Sequence, residues 1–298
     1  MNLRQIGVLG YGEVGKTFAK GLLPAVDGVA AWDLKFDQPA AVRDHERAHA
    51  TLAGIRAAAS MRDACGAADL VMSAVTASNT LAVAREAAAH IRPGSYFLDL
   101  NSASPGTKQQ AAALIDAAGG HYVEAGVMTS VPPYGIRVPM LLGGNHAGAL
   151  AERLVAWGMD AKAVSDQLGV ASAIKMCRSV MIKGLEALVI ESYATARAYG
   201  VEHYVIPTLQ ETFPGIDWQQ TGAYFFSRVV QHGQRRAEEM REAANTVDEA
   251  GFEPFMARAT ADKQQWVADQ ARDALFQGIA KDAPWQEYAD RLIAARKT

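Results

Sequence analysis

The sequence is short of cysteine, of net charge and of long apolar runs, and each shortage excludes something. Only Cys65 and Cys177 occur. They lie far apart and have no metal-type spacing. Two cysteines in 298 residues make no disulfide scaffold, so the sequence predicts a reducing compartment, the cytoplasm. Lysine and arginine number 29 against 32 acidic residues, a net charge of -3. That leaves no electrostatic footprint for nucleic acid or for an anionic membrane surface. No apolar stretch approaches roughly 18 uninterrupted residues, so no membrane span is expected. The first apolar run, Ile6 to Leu9, is too short for a signal peptide, and none is expected. His45 and His49 stand four apart with no third ligand near in sequence. They read as a solvated helix face, and no metal site is assigned.

Half of the residues are hydrophobic, enough for a full core, and the length suggests two domains. The first half alternates short apolar runs with alanine-rich amphipathic ones. Ile6 to Leu9, Val29 to Trp32, Leu70 to Val75 and Tyr96 to Leu98 read as strands. Leu81 to Ile91 and Gln109 to Ala118 read as helices between them. This alternation predicts an α/β domain with a parallel, doubly wound sheet covered on both faces. Val138-Pro139-Met140-Leu141-Leu142 reads as an edge strand, where proline is tolerated. From about Val170 the period-two runs stop. Helical patterns cover Val170 to Tyr199, Ala223 to Ala250 and Pro254 to Ala280. The expected organisation is a first domain over 1–168 and an all-α domain over 169–298, joined by a long helix.

Between the first strand and the first helix stands Gly10-Tyr11-Gly12-Glu13-Val14-Gly15. In that context the glycines have physical tasks. Gly10 permits the tight turn, Gly12 lets the backbone approach a pyrophosphate, and Gly15 lets helix and strand pack closely. The helix N-terminus then offers unpaired N–H groups to the phosphates. Asp33 follows the second strand near the offset expected for an acid that binds the adenosine ribose. The first domain is therefore expected to be a Rossmann-type dinucleotide site. An acid at Asp33 repels a 2′-phosphate and favours NAD. NADP is the alternative, since Lys35 could pair with that phosphate.

Two further segments carry a family resemblance. Asp99-Leu100-Asn101-Ser102-Ala103-Ser104-Pro105 follows a strand, and Gly169-Val170-Ala171-Ser172-Ala173-Ile174-Lys175-Met176-Cys177-Arg178-Ser179 opens the long helix. With the glycine turn they resemble the β-hydroxyacid dehydrogenases, the group of the 3-hydroxyisobutyrate and 6-phosphogluconate enzymes. The stretch His232-Gly233-Gln234-Arg235-Arg236-Ala237-Glu238-Glu239-Met240 is similar to the phosphogluconate dehydrogenase-like branch with a C-terminal domain of unassigned function. The resemblance implies hydride transfer between a nicotinamide and a small β-hydroxy acid or related alcohol. It implies Lys175 as acid/base residue, and a homodimer built by the C-terminal helices. The chain departs from the family pattern at Asn101 and Ser102, where the family has Ser-Thr. It departs also at Met128, where a serine is usual, and at Ser179, where an asparagine is usual.

On their own spacing, Ser172, Lys175, Ser179, Lys183 and Glu186 form one polar stripe. Ile174, Met176, Val180, Met181, Leu185 and Leu188 surround it, so the helix is expected to be buried on most sides. Burial would lower the lysine pKa toward that of a working base. Cys177 reads as a buried small hydrophobe. The candidate catalytic residues are thus Lys175, Ser102 and Ser179. Gly10, Tyr11, Gly12, Glu13, Val14, Gly15, Asp33, Val75, Thr76 and Asn101 are assigned to the cofactor. Met128, Thr129 and Ser172 are assigned to the substrate, with His232 and Arg235 as a clamp for its anionic end. The other reading of that clamp is salt bridging along its own helix to Glu238, Glu239 or Glu242. Two other functions compete. An imine reductase-like enzyme shares the architecture but typically lacks the lysine. A dinucleotide sensor without turnover would carry a disabled stripe.

Overall fold

The computed structural model describes residues 3–295. Its contacts divide the chain into two compact units, with the division after Met176. It falls inside the long helix rather than at that helix's start.

The first unit is built on one eight-stranded sheet. Its strands are β1 (Gln5–Leu9), β2 (Gly28–Trp32), β3 (Arg56–Ala57), β4 (Leu70–Ser73), β5 (Tyr96–Asp99), β6 (His121–Val127), β7 (Met140–Gly143) and β8 (Ala161–Ser165). They lie in the order β3-β2-β1-β4-β5-β6-β7-β8. All neighbours run parallel except β6 and β7. The helices between strands are α1 (Glu13–Leu22), α2 (Ala40–Leu52), α3 (Met61–Cys65), α4 (Thr80–Ala88), α5 (Pro105–Ala117) and α6 (Ala147–Ala156). The period of two along β1 divides its side chains between the faces. Ile6 and Val8 join a cluster with Phe18, Leu22, Val123 and Leu150. Leu9 joins Met61, Val71, Phe97 and Ile115 on the other side. Strand order reverses at β1 and β4, so the glycine turn after β1 sits at the switch point where doubly wound sheets bind ligands.

The second unit is helical. It takes most of α7 (Val170–Tyr199) and all of α8 (Glu202–Thr212), α9 (Trp218–Glu249), α10 (Phe255–Arg272) and α11 (Trp285–Ala295). Its core gathers Tyr193, Phe226, Val229, Val267, Trp285 and Tyr288. Helix α9 kinks at His232, where φ is -135°. Among the described residues no helix is long and apolar enough to cross a membrane.

Three expectations are corrected. β7 is not an edge strand, because β8 pairs on its far side. Pro139 precedes β7, and its carbonyl accepts the Met128 N–H at 2.9 Å, so no ladder bond is lost. β8 escaped notice because its sequence, Ala-Lys-Ala-Val-Ser, carries no apolar run. Second, α7 is not buried on most sides within this chain. Its polar stripe is turned inward at Ser172, Ser179, Lys183 and Glu186, while Ile174, Met181 and Leu188 are exposed. Third, Cys177 is exposed. It lies one turn from both Ile174 and Met181, and so shares their outward face.

Candidate functional site

The glycine turn has the conformation its residues predict. Gly10 has φ +91°, a left-handed geometry that favours glycine. A side chain at Gly15 would collide with the Gly10 carbonyl, so the first turn of α1 closes directly on the end of β1. At Gly12 an added Cβ would meet nothing within 4 Å. The helix entrance is therefore open on the side where a pyrophosphate would lie, with Glu13 and Val14 supplying the first helical N–H groups. These features fit a dinucleotide.

Asp33 follows β2 directly, with its carboxylate fixed at both oxygens. One accepts the Tyr11 N–H at 2.6 Å, the other the Lys35 N–H at 2.9 Å. The acid expected at the ribose is thus locked to the glycine turn itself. Tyr11 turns its ring inward, fully buried, against Phe36 and His49. Its hydroxyl meets His49 Nδ1 at 3.2 Å, so this histidine, read from sequence as merely solvated, has a partner. Burial, with the Glu46 charge behind it, pushes the Tyr11 phenol up to about 12.

The end of β5 carries the second part of the site. Asn101 is buried, and its side chain ties two strands together. Its Oδ1 accepts the Val75 N–H at 2.7 Å and its Nδ2 donates to Ser73 Oγ at 3.0 Å. Asp99 anchors this loop from below. It accepts the Asn101 N–H at 2.9 Å and the Tyr122 hydroxyl at 2.6 Å. Lys108 Nζ stands 2.9 Å from its carboxylate and 2.9 Å from its carbonyl. Burial and then the Asp99 charge raise the Tyr122 phenol well above its ordinary range. Thr76 is exposed, and its hydroxyl accepts from Asn79 Nδ2 at 2.8 Å.

Ser102, next in the loop, meets the catalytic candidate. Lys175 Nζ donates to Ser102 Oγ at 2.6 Å across 73 positions of sequence. What brings α7 there is a buried acid on β6. Glu124 Oε1 accepts the Gly169 and Ala171 N–H groups at 2.8 and 3.0 Å. The carboxylate caps the helix and compensates its positive end. Gly126, two residues on, has no side chain to hold the helix off. A Cβ there would stand 3.0 Å from the Ala171 carbonyl and 3.4 Å from the Lys175 Cβ. Ser172 is buried, and its hydroxyl donates back to the Gly169 carbonyl at 3.1 Å. Its hydroxyl is therefore bonded back to the backbone of its own first turn. Met128 is half-buried and Thr129 exposed just past β6.

In the second unit the stripe continues differently from its sequence reading. Ser179 accepts from Lys183 Nζ at 3.1 Å, and Lys183 stands 2.8 Å from Glu239. Of the adjacent arginines Arg235 and Arg236 on α9, Arg236 is the buried one. Its guanidinium is gripped by Glu186, which also accepts from Gln264 at 3.2 Å. Arg235 is about half-exposed and lies 4.0 Å from Glu239, the ion pair that its helical spacing allows. His232 sits at the kink, so the helix is irregular between it and Arg235, three residues on. Sequence reasoning passed over Lys108, Tyr122 and Glu46. Lys108 had a signal: with Ala111, Ala112 and Ile115 it completes a helical apolar stripe.

Comparison with known proteins bears on these residues. Positions 5–136 match the NAD binding domain of 6-phosphogluconate dehydrogenase, and 196–267 match a domain of unknown function, DUF1932. A conserved hypothetical protein of Sinorhizobium meliloti 1021 is 39% identical. The match covers 98% of this chain and 97% of that one, with TM-score 0.76. A conserved protein of unknown function, described as structurally similar to 3-hydroxyacid dehydrogenases, is 29% identical. It covers 93% of this chain and 100% of its own, with TM-score 0.67. The 3-hydroxyisobutyrate dehydrogenase of Mycobacterium tuberculosis, solved with L-serine, is 17% identical over 98% of this chain and 99% of its own. Its TM-score is 0.71, a likeness of fold.

Proposed function

Because the chain belongs to the β-hydroxyacid dehydrogenase family, in the branch that joins the NAD binding domain of 6-phosphogluconate dehydrogenase to DUF1932, we propose that it is a nicotinamide-dependent oxidoreductase acting on a small β-hydroxy acid or related alcohol. The observation that carries this reading is the 2.6 Å bond between Lys175 and Ser102, made within the same unit as the glycine turn.

In this reading the open N–H groups around Gly12 hold the pyrophosphate. Asp33 accepts from the adenosine ribose, which favours NAD over NADP. Val75, Thr76 and Asn101 flank the nicotinamide. The dinucleotide, when bound, supplies hydride transfer. Lys175 takes the proton from the substrate hydroxyl in oxidation and returns it to the oxygen in reduction. Ser102 orients the ammonium and offers its own hydroxyl to the substrate, with Ser179 a further hydroxyl along the same helix. Met128, Thr129 and Ser172 shape the pocket. His232 and Arg235 take the carboxylate end, for which Arg235 is better suited than Arg236, whose guanidinium already holds Glu186. The chain is also read as a homodimer, a reading supported by the apolar side chains exposed along α7.

Lys175→Ala tests the mechanism. Turnover of a responsive hydroxy acid should fall at least a hundredfold, the scale of a lost acid/base group. NADH binding should persist in a fluorescence titration. Turnover within about tenfold of wild type would remove Lys175 from the chemistry.

A further inference from the structure

We propose that Glu46 sets the choice between NAD and NADP, by holding Lys16 and Lys35 away from a 2′-phosphate. The inference rests on the dinucleotide reading above and adds to it a residue that no glycine or ribose motif contains.

Asp33 alone does not settle the charge at this end of the turn. Two lysines flank it. Lys16 follows the last glycine of the turn, and Lys35 follows the ribose acid by two residues. A phosphate monoester on the ribose would need such cations. Both are already held by one carboxylate. Glu46, on α2, places Oε2 2.6 Å from Lys16 Nζ and Oε1 3.7 Å from Lys35 Nζ. It is buried, only 9% exposed. Burial opposes its ionisation, but the bond and charge of Lys16, then Lys35, then His45, outweigh burial and keep its carboxyl below the ordinary range. The pairing is further fixed by Tyr11, over whose ring Lys16 Nζ lies at 5.4 Å. The nearby Arg47 lies over Phe36 and donates to its carbonyl at 3.3 Å.

The two lysines are thus balanced by Asp33 and Glu46 before any ligand arrives. A ribose diol requires only the Asp33 carboxylate. A 2′-phosphate brings close to two further negative charges. It must then either break the Glu46 pairs or sit beside two carboxylates with both lysines already engaged. Neutralising Glu46 while keeping its shape releases both ammonium groups toward the phosphate.

The experiment is a fluorescence titration of wild type, Glu46→Gln, and Glu46→Gln combined with Lys35→Ala, each with NADH and NADPH. In Glu46→Gln the ratio of the NADPH to the NADH dissociation constant should fall by about tenfold, the scale of one solvent-screened charge pair. Adding Lys35→Ala should restore part of the original ratio, since that lysine carries one of the two released charges and Lys16 the other. A ratio moved by less than about twofold in folded Glu46→Gln overturns the inference. Lys35→Ala in the wild-type background gives a second reading should Glu46→Gln not fold. A ratio moved by less than about twofold is expected, because Glu46 already holds that lysine. A rise of about tenfold would mean that Lys35 serves the phosphate in the native protein, and would also overturn it. If wild type binds neither dinucleotide, the functional reading fails as well, an outcome distinct from either of these.

Discussion

Lys108 and Asp99 form an ion pair in which each side chain is 1% exposed. Taking two charges out of water is unfavourable, and the pair is tolerated because both carboxylate oxygens have donors. Lys108, Tyr122 and the Asn101 N–H all converge on the one carboxylate. The consequence is local: the loop bearing Asn101 and Ser102 is fixed from beneath. Lys108→Met keeps the length and removes the charge, leaving Asp99 buried and uncompensated. We expect a loss of roughly 3–5 kcal/mol in urea-induced unfolding. A loss under about 1 kcal/mol would show that the pair does not anchor the loop. At this scale the sequence was informative for residues inside motifs, Gly10, Asp33, Ser102 and Lys175 among them. It left Tyr122 and Glu46 unmarked, and for Lys108 it marked only burial, through the helical stripe shared with Ala111, Ala112 and Ile115. The roles of Lys108, Tyr122 and Glu46 depend on partners 9 to 30 positions away, which no local spacing reveals.

Among the elements, the strands with continuous apolar runs were legible and those without them were not. β1, β2, β4 and β5 are buried along nearly all their length, and a run of buried residues leaves a hydropathy signal. β3 has two residues and β8 is half-exposed, so neither leaves one. β7 was found but misplaced at an edge. The proline that suggested an edge lies one residue outside the ladder. The start of α7 at Val170 was also legible, from the lysine-bearing segment. What holds it was not: the Glu124 carboxylate reaches Gly169 and Ala171 across 45 and 47 positions. That acid and Gly126 belong to one strand, so β6 both caps the helix and lets it approach. The Lys175–Ser102 contact is the product of these two features with the Asp99 network.

For the whole molecule, α7 is the element on which the two readings of polarity diverge. From sequence its polar stripe looked like the solvent or cleft face of an otherwise buried helix. In the structure the stripe is inward and Ile174, Met181 and Leu188 are outward. Helix periodicity identifies two faces without saying which is inside. An exposed apolar face of this kind is expected to be covered by a second copy of the chain. Wild type should therefore sediment as a dimer at micromolar concentration, and Met181→Asp with Leu188→Asp should shift it toward monomer. A wild type that sediments as a monomer would contradict the dimer.

The central claim is that the glycine turn and the Lys175–Ser102 pair serve one dinucleotide. The most direct measurement is a crystal structure of the wild-type chain grown with NADH. The account predicts the pyrophosphate against the Gly12 backbone, the adenosine ribose on Asp33, and the nicotinamide on the side of Ser102 and Lys175. A dinucleotide bound away from the turn, or one whose nicotinamide points away from Lys175, would contradict it.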